Sequence, residues 1–158
     1  MATITGTVAV NAAFLQEVKE DNHELRRLLA QCVHLAAEAG CMRIEPRQMA
    51  ESLGDLRDKL SMHFALEEAY GYFDEAIYVS PRISHQAETL RAQHADLFLE
   101  LCQLVERAEQ CQYHESARAA ARMVARDFVD FHARFEHHES QENSLILEAF
   151  AGEIGAGD

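Results

Sequence analysis

Apolar residues recur at alternating steps of three and four along most of the chain, the spacing that places side chains on one face of an α-helix. In one such stripe the apolar positions are Met49, Leu53, Leu56 and Leu60. With turn signals between the stripes, the pattern predicts helices at about residues 11–39, 46–77, 82–111 and 115–150. Short connections make successive helices antiparallel, so we expect an all-α, up-down-up-down four-helix bundle.

Glycine and proline mark the ends of the predicted helices. Gly40 is expected to end the first helix, because glycine readily adopts the backbone conformation that closes a helix. Pro46 and Pro81 are expected at the start of the second and third helices, where proline is favoured. Residues 152–158 are rich in glycine and predict a flexible tail. A length of 158 residues suits one domain with a single core, so we expect one domain over residues 1–158.

Histidine and glutamate interrupt the apolar stripes at corresponding positions. On the second and fourth predicted helices, a histidine is followed by a glutamate four positions later: His63 with Glu67, and His138 with Glu142. His94 stands alone in the stripe of the third helix. A buried glutamate costs on the order of several kcal/mol unless a partner compensates its charge. A metal ion would compensate both glutamates.

The interruptions also form an internal repeat. His23 precedes His63, and His94 precedes His138, so each half reads His, then His-x-x-x-Glu. Two helical hairpins related by a pseudo-two-fold axis would bring both halves to the bundle centre. Four imidazoles and two carboxylates divide evenly between two metals, with the glutamates bridging. Two histidines and a carboxylate leave open positions on iron, and the same donors accept manganese or zinc.

These residues resemble the hemerythrin-like (HHE cation-binding) family. The matching segments are Asn22–Arg26, His63–Glu68, Gln93–Ala95 and His138–Asn143. The resemblance extends from about residue 14 to residue 150 and implies a non-haem, carboxylate-bridged centre of two iron ions. The implied ligands are His23, His63, Glu67, His94, His138 and Glu142. His23 is included because of the family motif, since it lies beside the apolar stripe of its helix rather than on it.

Two features differ from the oxygen-carrying hemerythrins, which have a further histidine one turn after the third ligand. That position is Phe98 here, and the last pair is His138 with Glu142 instead of a histidine and an aspartate five positions later. The ligand set is more similar to the di-iron domain of bacterial iron–sulfur cluster repair proteins. The additional N-terminal cysteine-bearing domain of those proteins has no counterpart in these 158 residues. The resemblance therefore favours a protein that binds, senses or reacts with O2, NO or peroxide.

The remaining histidines are weaker candidates as ligands. His85 and His137 are each nine positions from a core residue, which predicts that they face outward. His132 borders the apolar stripe and has Glu136 one turn later, so it stays an alternative ligand or a supporting group.

The charge of the chain narrows the range of partners. With 27 acidic and 14 basic residues, the net charge of −13 would repel nucleic acid and anionic membranes, so we expect neither as a partner. No apolar run approaches the ~18 residues of a membrane span, and the N-terminus lacks the basic segment of a signal peptide. We therefore expect a cytoplasmic protein. A protein partner or a homo-oligomer stays open.

The pattern leaves three classes of function open, and it leaves open whether the protein is an enzyme. One is a module that binds or senses a small ligand. Another is an enzyme that consumes peroxide or donates iron for repair. The last is an iron store or buffer. The four cysteines form no CxxC pair and are interpreted as idle thiols, with a Cys32–Cys111 bridge as an alternative.

Overall fold

Four α-helices make up the part of the chain that the computed structural model describes. The structure describes the backbone of residues 3–40, 45–69, 81–113 and 115–155, and the side chains within residues 20–39, 45–69, 81–113 and 115–148. The helices are α1 (Thr3–Gly40), α2 (Pro46–Ala69), α3 (Pro81–Cys111) and α4 (Ala117–Gly155). Helices α1 and α3 each pack against both α2 and α4, which closes the four into a bundle. The predicted all-α four-helix bundle is confirmed.

The outer ends of the bundle differ from the predicted boundaries. Helix α1 begins at Thr3, eight residues earlier than expected, because no proline interrupts the mildly apolar N-terminal segment. Helix α4 begins at Ala117 instead of 115, after a turn in which Ala120 N–H donates to the carbonyl of Ser116. It continues to Gly155 and so includes the first part of the predicted tail. The flexibility of the tail and the single-domain extent stay predictions.

The inner ends agree with the proline signals where the structure describes them. Helix α2 begins at Pro46, and Met49 N–H donates to the carbonyl of Glu45 to form its first turn. Helix α3 begins at Pro81. The predicted extension of α2 to residue 77 lies outside the described residues.

A layer of aromatic rings fills the middle of the core. Phe128, Phe131 and Phe135 follow one another on α4 and are almost fully buried, with ring centroids 6.0 and 6.2 Å apart. Replacing such a buried phenylalanine with alanine typically lowers the free energy of unfolding by about 3–5 kcal/mol. Phe64 of α2 continues the layer, 6.4 Å from the ring of Phe135, and stacks on the ring of His94. The aromatic layer therefore borders the polar part of the core.

The described cysteines are free thiols, and the Cys32–Cys111 bridge is not formed. Burial raises the pKa of Cys32 to about 12, which keeps its thiol protonated and unreactive at neutral pH. Cys41 lies outside the described residues. Within the described part of the chain, no helix is long and apolar enough to span a membrane.

Candidate metal centre

Five of the six residues predicted as ligands lie together in the core. His63 and Glu67 come from α2, His94 from α3, and His138 and Glu142 from α4, and none is more than 7% exposed. Each i, i+4 pair presents both side chains on one helix face, and the bundle turns these faces toward each other. Their donor atoms form two groups.

The one-histidine group consists of His63, Glu67 and Glu139. His63 Nε2 lies 2.7 Å from Glu67 Oε1 and 3.1 Å from Glu139 Oε1. One atom of each residue can be chosen so that all three lie within 4.8 Å of one another, which is close enough for one metal ion to contact all of them. This group therefore offers one imidazole and two carboxylates.

The two-histidine group consists of His94, His138 and Glu142. Glu142 Oε1 lies 2.7 Å from His138 Nε2 and 3.1 Å from His94 Nε2. The two imidazole rings are 5.0 Å apart and nearly perpendicular. This group offers two imidazoles and one carboxylate.

Glu67 connects the two groups. Its Oε1 contacts His63, while its Oε2 lies 3.2 Å from Nε2 of His94. A carboxylate that reaches a donor in each group is placed to bridge two ions. Among the contacts observed, Glu142 reaches only the histidines of its own group, so the even arrangement expected from the sequence is present for Glu67 alone.

Each of the three histidines is held from outside through its other ring nitrogen. His63 Nδ1 lies 2.8 Å from Asp21 Oδ2, and His138 Nδ1 lies 2.8 Å from Gln93 Oε1. His94 Nδ1 lies 3.2 Å from Glu68 Oε1. When Nδ1–H donates outward, the Nε2 lone pair faces the centre, which is how histidines that bind metals are commonly oriented.

Basic residues from α1 and α2 neutralise part of the charge around the one-histidine group. Lys59 Nζ lies 2.8 Å from Asp21 Oδ1. Arg26 donates to Glu139 Oε2 at 3.0 Å and also pairs with Glu136. These ion pairs cover the group on the side of α1.

The structure does not bring His23 to the centre. The core face of α1 passes through Leu25, Leu28 and Leu29, and His23 is two positions from Leu25, about 200° around the helix. His23 is accordingly exposed and belongs to neither group. Asp21, four positions before Leu25, occupies the core face instead and supports His63.

Glu139, which the sequence analysis did not single out, belongs to the one-histidine group. Because Glu139 follows His138 directly, the two side chains point about 100° apart around α4. Glu139 also lies four positions after the buried Phe135, which places it near the buried face. That step of four was a signal that could have identified it. Of the weaker candidates, His85 and His137 are exposed as predicted, and His132 is half-buried beside Glu136 but belongs to neither group.

The electrostatics of the centre favour a positive charge. Burial lowers the pKa of His63, but the hydrogen bonds to Glu139 and Glu67 and their charges outweigh it and raise the pKa to about 11. Burial also lowers the pKa of His94, but the hydrogen bonds to Glu142 and Glu67 and their charges outweigh it and raise the pKa to about 9. Burial raises the pKa of Glu67, yet its two histidine partners hold it below the usual range. Protons on the histidines or bound metal ions would supply the positive charge that compensates these carboxylates.

Two buried donor atoms of the centre have no hydrogen-bond partner and are suited to binding a metal. His138 Nε2 and Glu67 Oε2 are inaccessible to solvent and have no partner in hydrogen-bonding geometry. His138 Nε2 nevertheless lies 2.7 Å from Glu142 Oε1, and Glu67 Oε2 lies 3.2 Å from His94 Nε2. Buried polar atoms normally have such partners. Donors of this kind, aimed at one another in an imidazole–carboxylate set, suit a transition metal.

A surface cleft between α3 and α4 borders the two-histidine group at His138. It has a volume of about 520 Å³, and Gln93, Leu97, Ala133 and His138 are among its lining residues. Charged residues such as Asp96, Glu100 and Arg134 also line it, and His138 is the member of the two-histidine group that it contacts. The cleft therefore lies beside this group, on the side of α3 and α4.

Comparison with known proteins agrees with the geometry. The family model of the hemerythrin HHE cation-binding domain matches residues 13–151, and the chain belongs to that family. No curated protein and no solved structure matched the chain. The family and the two His/Glu groups together identify a metal-binding protein.

Proposed function

We propose that this protein holds two iron ions and uses them to bind, sense or react with a small ligand such as O2, NO or peroxide. One observation supports this proposal above the others. All three buried histidines turn Nε2 toward a buried glutamate, Glu67 for His63, Glu142 for His138 and both for His94, while Nδ1 of each is engaged by an outer partner. A purely structural set of ion pairs has no need for this common orientation.

The two groups would each hold one ion, with Glu67 between them. Glu139 takes the place that the sequence analysis assigned to His23. Ferrous iron with open coordination positions supplies the capacity to bind small ligands and to exchange electrons with them. The mixture of imidazole and carboxylate favours iron, although manganese and zinc accept the same donors.

The surrounding residues favour a small ligand over a large substrate. Phe64 and Phe135 close the centre on the side of the core, and the ion pairs of Arg26 and Lys59 cover the side of α1. Within the described residues, the cleft that His138 helps to line lies on the side of α3 and α4, from which a small ligand would approach. The net charge of −13 supports the absence of nucleic acid and anionic membranes among the partners. The cytoplasmic location stays a prediction.

The proposal is tested by loading the purified chain with ferrous iron without oxygen, removing the excess and counting iron per chain. We expect two. The loaded protein is then mixed with O2, NO and peroxide in a stopped-flow spectrometer. A stable adduct favours binding or sensing, repeated peroxide turnover favours an enzyme, and rapid iron loss to an apo-cluster acceptor favours repair. An iron content near zero contradicts the proposal.

A further inference from the structure

The two metal-binding groups differ in the donors that they offer. The one-histidine group has a single imidazole with two carboxylates, and the two-histidine group has two imidazoles with one carboxylate of its own. Sharing Glu67 adds one carboxylate oxygen to the two-histidine group but does not change its number of nitrogen donors. The even division suggested by the internal repeat is therefore absent from the arrangement of these side chains.

The carboxylates around the two groups do not add to this difference in nitrogen donors. His63 is in contact with carboxylates on both ring nitrogens, since Glu67 and Glu139 lie at Nε2 and Asp21 at Nδ1. His138 has Glu142 at Nε2 but the neutral carboxamide of Gln93 at Nδ1. With Glu67 shared, each group reaches two carboxylates, and each has a further carboxylate at Nδ1 of one histidine, Asp21 for His63 and Glu68 for His94. The groups therefore differ in their number of imidazoles and not in their number of carboxylates.

We propose that the two positions hold different metals when both are offered, with Fe²⁺ at the two-histidine group and Mn²⁺ at the one-histidine group, whereas iron alone fills both. The inference rests on the proposed function, because it assumes that each group holds an ion. Carboxylate oxygens suit manganese, whereas imidazole nitrogens suit iron, and protein sites select metals through donor type more than through raw affinity. Replacing one imidazole with Glu139 weakens the preference for iron over manganese at that position.

The test offers both metals to the full-length, metal-free chain without oxygen. Fe²⁺ and Mn²⁺ are supplied at ratios of 1:1 and 1:10, the excess is removed, and both elements are counted per chain. With manganese in excess, we expect one iron and one manganese per chain. Anomalous X-ray scattering at the iron and manganese edges then assigns each element to a group.

The possible outcomes separate this inference from the proposed function. Two irons per chain at both ratios would overturn the mixed-metal assignment and leave the di-iron function standing. Equal iron-to-manganese ratios at the two positions would also overturn it, because the groups would then not discriminate. Failure to bind either metal would overturn both proposals.

Two variants of Glu139 test whether this residue sets the metal preference of the one-histidine group. Glu139→Gln removes a charged donor, and we expect it to lose manganese while it keeps the iron of the two-histidine group, which also reports that the bundle is folded. Glu139→His supplies a second imidazole, and we expect it to replace manganese by iron. Glu109→His, at an exposed position of α3, is the matched control and should keep one of each metal. If Glu139→Gln retains manganese, the role of Glu139 is wrong.

Discussion

The one-histidine group and the two-histidine group lie at the same level of the bundle but in different surroundings. The first faces α1, where Asp21 supports its histidine and Lys59 and Arg26 neutralise its carboxylates. The second lies between α3 and α4, where Gln93 supports His138, Glu68 of α2 supports His94, and a surface cleft borders His138. On the proposed function, a small ligand would therefore meet the second position first, from the side of the cleft.

The largest effect is expected from removing the carboxylate that the two groups share. Glu67→Ala should lower the metal content at both positions, by roughly half or more, because each loses a donor and is left with buried, uncompensated groups. Glu142→Ala should affect mainly the two-histidine group. Elemental analysis after loading measures both.

His137→Ala is the control for these variants, because His137 is adjacent to a ligand in sequence but exposed. Its metal content should equal that of the parent. Equal metal content in Glu67→Ala, Glu142→Ala and His137→Ala would contradict the assignment of the two glutamates as ligands.

The outer partners of the histidines should affect affinity less than the ligands do. Asp21→Asn keeps the size of the side chain but removes its charge, and should weaken metal binding at the one-histidine group by roughly 10–100-fold. Gln93→Ala should weaken the two-histidine group by less, since a neutral carboxamide supports an imidazole less strongly than a carboxylate does. Competition with a calibrated chelator measures the metal affinity of both variants. A larger loss of affinity in Gln93→Ala than in Asp21→Asn would contradict this ranking.

The stability of the metal-free protein should depend on pH through the same histidines. The folded protein holds the pKa of His94 at about 9 and that of His63 at about 11, both above the ordinary value of 6.5. Their contribution to stability is therefore fully present below about pH 6.5 and is lost as the pH rises, first through 9 at His94 and then through 11 at His63.

Urea unfolding with a chelator present measures this dependence. The free energy of unfolding should be lower at pH 9.5 than at pH 6.5, and His137→Ala should retain the difference. Metal affinity should change in the opposite direction and increase over that range, because protons leave the ligands. A free energy of unfolding that rises with pH would show that the carboxylates do not hold protons on these histidines.

The smallest effect is expected from the ion pairs at the edge of the one-histidine group. Arg26 is 47% exposed, so solvent screens its contacts with Glu136 and Glu139. Arg26→Ala should change the free energy of unfolding by no more than about 1 kcal/mol and leave the metal content unchanged. Loss of metal from this variant would mean that Arg26 positions Glu139 as a ligand.

The sequence by itself determined the four helices and five of the residues at the centre. Both depend on local spacing: steps of three and four define a buried face, and an i, i+4 pair such as His63 and Glu67 lies on that face wherever the helix packs. The turn signals at Pro46 and Pro81 are local in the same sense, which is why the helix starts at these residues agree with the structure.

Only the tertiary structure decided how the donors are divided. Whether Glu139 or His23 accompanies His63 depends on how α1, α2 and α4 are rotated about their axes, and no local pattern contains that rotation. The apolar face of α1 turns Asp21 inward and His23 outward, and Glu139 reaches His63 across the interface of α2 and α4. The inequality of the two groups arises from packing between helices, which the internal repeat of the sequence does not reveal.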